Sequence, residues 1–185
     1  MSRDKIIAID PSLSSTGICV LGIEDTTPTA YYNIRPYIGD PRRLQYIFHS
    51  YQSIFNIFRE TVRYIAYEKQ VPQMRYNYSS HNILDLAENI GILKLAILET
   101  VSLQEGNVSI IRAKPEDIKR YATNNPKATK EDMIDAVNGH HIKTIRSSTV
   151  EDGVDDVVDA YHLSRLVQSK LKSDGLKSMI YEGWW

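Results

Sequence analysis

"KIIAIDPSLSSTGICVLGI", residues 5–23, puts a carboxylate at the end of a run that a core strand should claim. Ile6, Ile7, Ala8 and Ile9 form an apolar, β-branched stretch that predicts a buried strand. That strand ends on Asp10. The Ser-rich segment 11–16 predicts a turn, and Gly17 leads into a second strand-like run, Ile18 to Ile23. An isolated buried charge costs several kcal/mol unless it is paired or binds a metal. The rest of the chain has to supply one or the other.

Strands are expected at 5–10, 16–23 and 28–35, close enough in sequence to form an antiparallel meander. "DPRRLQYIFHSYQSIFNIFRETV" then reads as a helix, with Leu44, Ile47, Phe48, Tyr51, Ile54, Phe55 and Phe58 at helical spacing and Pro41 in its first turn. Residues 62–67 are a short buried strand that ends on Glu68. "SSHNILDLAENIGILKLAILETV" is a long helix capped by Ser79 or Ser80, with Ile83, Leu86, Ile90, Leu93 and Ile97 along one face. "NVSIIRA" is a further strand. Helical segments at "KPEDIKRYA" and "TKEDMIDAV" and a final helix from about 154 to 171 complete the chain. The order β-β-β-α-β-α-β-α predicts an α/β fold with a mixed sheet and helices packed on its faces.

Composition narrows the function classes. With 185 residues and 42% hydrophobic content, the whole of 1–185 is expected to be one domain with a sizeable core. No apolar run approaches the roughly 20 residues of a membrane span, and "MSRDK" leads directly into a strand, so no signal peptide is expected. The single cysteine, Cys19, lies within a strand pattern and has no intrachain partner, which fits a reducing cytoplasm. A net charge of −1 argues against indiscriminate polyanion binding.

Asp10 and Glu68 end separate strands, and if those strands are neighbours both carboxylates emerge at one sheet edge. A third acidic group is "EDGVDDVVDAYHL", residues 151–163. Asp155 and Asp159 are four apart and Asp156 and Asp159 three apart, so either pair lies on one helical face. Acidic residues also favour helix N-termini, which suffices for Asp152. It does not explain two acids in an otherwise apolar helix. Carboxylates from separate elements form a hard-cation layout: Mg²⁺ or Mn²⁺, paired about 4 Å apart, can clamp the attacking and leaving oxygens of a phosphodiester. No His/Cys pattern suggests zinc, and His140 and His141 read as surface residues or a helix end.

"IIAIDPSLSSTG", "YIAYEK", "SSHNILDLAENIGILKLAI", "IIRAKPEDIKRYATNNPKATKEDMI" and "VDDVVDAYHLSR", in this order, resemble the RuvC-type Holliday junction resolvases of the ribonuclease H-like nuclease superfamily. The resemblance implies a ribonuclease H-like five-stranded mixed sheet. It also implies a dimeric, Mg²⁺- or Mn²⁺-dependent endonuclease, with two ions in each site. Such an enzyme nicks opposing strands of a four-way DNA junction in recombination or repair and leaves 5′-phosphate ends. By motif match Asp10, Glu68, Asp156 and Asp159 are the metal-binding catalytic residues, with Asp155 as the alternative to Asp156. His162, one turn on, is either a proton-transfer group or a packing residue. A bacteriophage-encoded member is compatible with the chain length. Such members cut a wider set of branched DNAs, including flaps, forks and Y-junctions.

Junction DNA is held chiefly through phosphates. Lys119 and Lys130 match the family's DNA-contacting lysines, and Lys114, Arg120, Lys127, Lys143 and Arg146 thicken that region. The loop "KQVPQMRYNYSS" sets Arg75 beside Tyr76 and Tyr78, a combination suited to stacking on splayed bases. Val71 stands where relatives carry an aromatic probe. The long helix is a candidate dimer surface, and the C-terminal "YEGWW" is either docked or exposed. Two rivals remain at this level: an ATP-binding protein of the actin and sugar-kinase superfamily, whose phosphate loop resembles "DPSLSSTG", and a junction-binding module without catalysis.

Overall fold

Alternation along the first strand sets up two cores. In the computed structural model, which describes residues 4–12, 14–37, 39–69, 80–101, 108–149 and 153–173, β1 (Lys5–Asp10) is the central strand. Ile7 and Ile9 enter one apolar cluster, Ile6 and Ala8 the other. The sheet has five strands in the order β3-β2-β1-β4-β5. β2 (Thr16–Gly22) and β3 (Ala30–Ile34) extend antiparallel from β1, and β4 (Val62–Glu68) and β5 (Ser109–Ala113) lie parallel on its other side. The expected meander and mixed sheet are both present.

One face carries α1 (Arg43–Phe58) and α2 (Ser80–Thr100), which pack Tyr51, Phe55, Leu93 and Ile97 against Ile7 and Ile9. The other carries α3 (Pro115–Thr123), α4 (Lys130–Asp135), α5 (Gly139–Ser148) and α6 (Val154–Lys172), through Ile118, Met133, Ile145 and a nearly continuous buried run along α6. This is the ribonuclease H-like arrangement. No helix among the described residues is long and apolar enough to cross a membrane.

Two details depart from the sequence expectation. Pro41 lies in the turn before α1 rather than in its first turn. The stretch 139–148 forms a helix of its own, α5; His140 and His141 lie at its start, a helix end as expected, and Asn138 caps it by accepting the His140 amide at 3.0 Å. α2 buries Leu93 and Ile97 on one stripe as expected, with Ala96, while Leu95 is exposed and Ile92 and Leu98 are half-buried. The side chains of Ile83 and Leu86 lie outside the described residues, as do Val71, Arg75, Tyr76, Tyr78, Asp152 and the C-terminal Trp pair.

Candidate active site

β1 and β4 are parallel neighbours with Ile9 level with Tyr67, so Asp10 and Glu68 leave the sheet at the same edge. Side chains alternate along a strand. Asp10 therefore shares the face of Ile6 and Ala8, and Glu68 that of Ala66, which is the face covered by α6. Gly17 brings α6 to them. It pairs with Asp10 across β1 and β2, and a Cβ at this position would stand 2.0 Å from the carbonyl oxygen of Asp156. The first turn of α6 thus rests directly on the β2 backbone, which delivers Asp156 beside Asp10, with Asp159 one turn further on.

The four carboxylates sense one another. Burial raises the Asp10 carboxyl well above the usual carboxylate range, and the negative charges of Glu68, Asp159 and Asp156 raise it further. Burial followed by Asp159 lifts Glu68 to about 7. Asp159 rises to about 6 through burial and then Asp156, and Asp156 to about 6 through burial, against an opposing hydrogen bond from Ser15. Glu116, in the first turn of α3, adds its charge at Glu68. Positive charge is arranged around this group. Lys119 favours the ionised forms of Glu68 and Asp159, and Lys130 those of Asp10, Asp156 and Asp159. A reciprocal Thr129–Asp132 capping box starts α4 and fixes the backbone that carries Lys130.

The choice between Asp155 and Asp156 has a geometric side. Asp155 takes the Lys130 ammonium as an ion pair, and its charge also acts on Asp156 and Asp159. Asp156 acts on Asp10 as well, and the Ser15 hydroxyl favours its ionised form. Ser15 accepts a hydrogen bond from Asn33 Nδ2 at 2.8 Å, and the same amide reaches the Gly153 carbonyl at 3.5 Å. Gly153 has to be small here, since a Cβ would stand 2.6 Å from Asn33 Oδ1. Asn33 and also Arg35, whose charge opposes the rise at Asp156, were not singled out from the sequence. Nothing local marks a polar residue at a strand end as part of a site.

The turn after Asp10 is also held from the opposite face. Asn89 of α2 donates to the Ser12 carbonyl at 2.8 Å and to Thr16 Oγ1 at 3.3 Å, and the buried Tyr51 hydroxyl donates to Asn89 Oδ1 at 3.0 Å. His162 is elsewhere. It is 3% exposed, packs against Tyr161, and its Nε2 lies 2.8 Å from the Met133 carbonyl, so it is a packing residue. Of the flanking basic residues, Arg120 pairs with Asp117 at 2.9 Å, and Lys114, Lys127, Lys143 and Arg146 are exposed on α3 to α5 and their connections.

The donor set is all oxygen, and its mutual repulsion is what a divalent cation relieves, so these residues fit a hard ion by chemistry. By position they do not yet form a cage: among the described residues, no group of three or more His, Cys, Asp or Glu is gathered so that it could hold a metal ion. Binding would have to draw the carboxylates together.

No protein-family model matches the chain, and no curated protein matches it by sequence. Solved structures do match by fold. The RuvC structure from Thermus thermophilus superposes with a TM-score of 0.66 at 16% identity, covering 92% of this chain and 97% of that one. The chain shares its fold. RuvC of the same organism in complex with a Holliday junction substrate gives 0.68 at 14% identity, with 93% and 97% covered. The yeast mitochondrial Holliday junction resolvase gives 0.60 at 12% identity, with 94% and 82% covered.

Proposed function

We propose that the protein is a metal-dependent DNA endonuclease of the RuvC kind that cuts branched DNA, four-way junctions foremost, as a homodimer. The observation that carries this reading is the electrostatic coupling of Asp10 on β1 to Glu68 on β4 and to Asp156 and Asp159 on α6, with Lys119 and Lys130 at their margin. A structural role is a poor account of such a group, because like charges in a partly buried site destabilise the fold that holds them. Similarity in fold to junction resolvases points to the same chemistry.

In this reading the four carboxylates hold Mg²⁺ or Mn²⁺. When bound, such ions lower the pKa of a water nucleophile and stabilise the leaving 3′ oxygen, so the product carries a 5′-phosphate. The chain's own part is positional. The strands fix Asp10 and Glu68, Ser15 and Asn33 aim Asp156, and Gly17 lets α6 approach. Lys119 and Lys130 bring positive charge to a scissile phosphate that must approach a negatively charged site. Lys130 leaves Asp155 to do so. Paired nicks in opposing strands need two such sites related by a two-fold axis, and α2, with Leu95 exposed, is the proposed contact.

A second reading, junction binding without cleavage, draws on the ungathered carboxylates. The two separate in one assay with a labelled four-way junction and a linear duplex in Mg²⁺, Mn²⁺ or EDTA. Metal-dependent paired nicks confined to the junction and lost in Asp10→Asn support the nuclease. Tight junction binding with no nick in either metal supports the binding module.

A further inference from the structure

Between the end of β3 and the start of α1 lies a groove of about 450 Å³, whose described lining carries Arg35, Arg42 and Arg43 together with the carboxylate of Asp40. Two tyrosines complete the wall, Tyr37 at 82% exposure and Tyr46 at 52%. Aromatic rings this open bury little of their apolar area. The charge is local as well, since the chain as a whole carries −1. Asp40 accepts the Arg42 amide at 2.8 Å and its Nε at 3.4 Å, yet the Arg42 side chain stays 79% exposed. α1 has no acidic residue in its first turn and an arginine on either side of its start, a choice that opposes the helix dipole. Local rules broken in this way mark functional surface.

The groove also has an address. Arg35 lines it two residues beyond Asn33, which pairs with Gly17 opposite Asp10 and reaches the Gly153 carbonyl before α6, so one end of the groove lies at the sheet edge that carries Asp10. We propose that this groove binds an unpaired DNA strand, the single-stranded arm of a fork or flap, as it leaves the cleavage site. The exposed Arg42 guanidinium meets a phosphate, and Tyr37 and Tyr46 stack on bases. Stacking is available only where bases are unpaired, so the rings select a single strand over a duplex. The inference rests on the nuclease reading for its direction, and it gives the free arm of a branched substrate a binding site of its own.

The test uses the full-length protein in EDTA, with fluorescein-labelled oligothymidylate and a duplex of equal length, followed by anisotropy over a range of salt. Replacing both rings (Tyr37→Ala with Tyr46→Ala) weakens oligothymidylate binding about tenfold or more and leaves duplex affinity nearly unchanged. Arg42→Gln lowers the slope of log affinity against log salt by about 0.7, one phosphate contact on a single strand. Melting temperatures stay at the wild-type value, because Tyr37, Tyr46 and Arg42 are all exposed. Oligothymidylate affinity indifferent to both rings, or an equal loss on duplex, overturns the proposal. If junctions are nicked normally while the rings make no difference, the groove assignment falls alone. If no metal yields nicks but the ring variants still lose oligothymidylate, the nuclease reading falls and the groove stands.

Discussion

The two ends of β1 treat charge in opposite ways. At its start, the buried Lys5 donates to Asp25 Oδ2 at 3.2 Å and to Thr29 Oγ1 at 3.0 Å. Its partner across the sheet is Gly22, where a Cβ would stand 2.0 Å from Asp25 Oδ2, so the missing side chain admits the counter-charge. At its end, Asp10 faces Gly17, and the space left by that glycine admits the Asp156 backbone and with it more negative charge. The same device serves both ends. One end is neutralised within the chain; at the other, the proposed function has divalent ions supply the missing charge.

Substitutions at the two ends should therefore separate stability from activity. Asp10→Asn removes one ligand and one repulsive charge. Cleavage falls by about 10⁴-fold or more, while the melting temperature of the metal-free protein at pH 8 rises, as calorimetry will register. Lys5→Met removes the Lys5 cation from Asp25 and Thr29 and lowers the melting temperature. Cleavage per folded molecule stays at the wild-type level. A loss of stability from Asp10→Asn at pH 8 breaks the contrast.

Smaller effects sharpen it. Ser15→Ala and Asn33→Ala leave Asp156 in place but unaimed, for a loss of about 10- to 100-fold in metal affinity or rate. Asp155→Asn frees Lys130 and changes the rate by less than about tenfold, since the Asp155 carboxylate is engaged by Lys130. If Asp155→Asn is as damaging as Asp156→Asn, Asp155 is itself a ligand.

The pH dependence has a definite sign. Folding raises all four carboxyls, Asp156 and Asp159 to about 6 and Glu68 to about 7, from unfolded values near 4. Between those limits the folded chain binds more protons than the unfolded one. The contribution of these groups is thus fullest below about pH 4 and is lost as pH rises to about 7. Added Mn²⁺ restores it, so the gain in melting temperature is larger at pH 7.5 than at pH 5.5.

How much of this was legible beforehand follows from what is local. The alternation of β1, the meander, and the strand-end positions of Asp10 and Glu68 are short-range patterns, and they were readable. Whether Asp155 or Asp156 faces Asp10 depends on Gly17 and Lys130, which are far away in sequence. Asn33 reaches Ser15 and Gly153 only through the fold. α5 was missed because "GHHIKTIRSS" buries little beyond Ile145, too few apolar positions to show a period. Arg35 read as one more polar residue until its place beside Asp156 gave it meaning.

The central claim is that the charge left open at the end of β1 is completed by divalent ions. The direct measurement is Mn²⁺ titration by calorimetry at pH 6.5, in two buffers of different ionisation enthalpy, on the wild type and Asp10→Asn. The account predicts saturable binding with protons released from the raised carboxyls, and weaker binding with fewer protons released in the variant. Binding that is absent, or identical in the two proteins with no proton release, contradicts it.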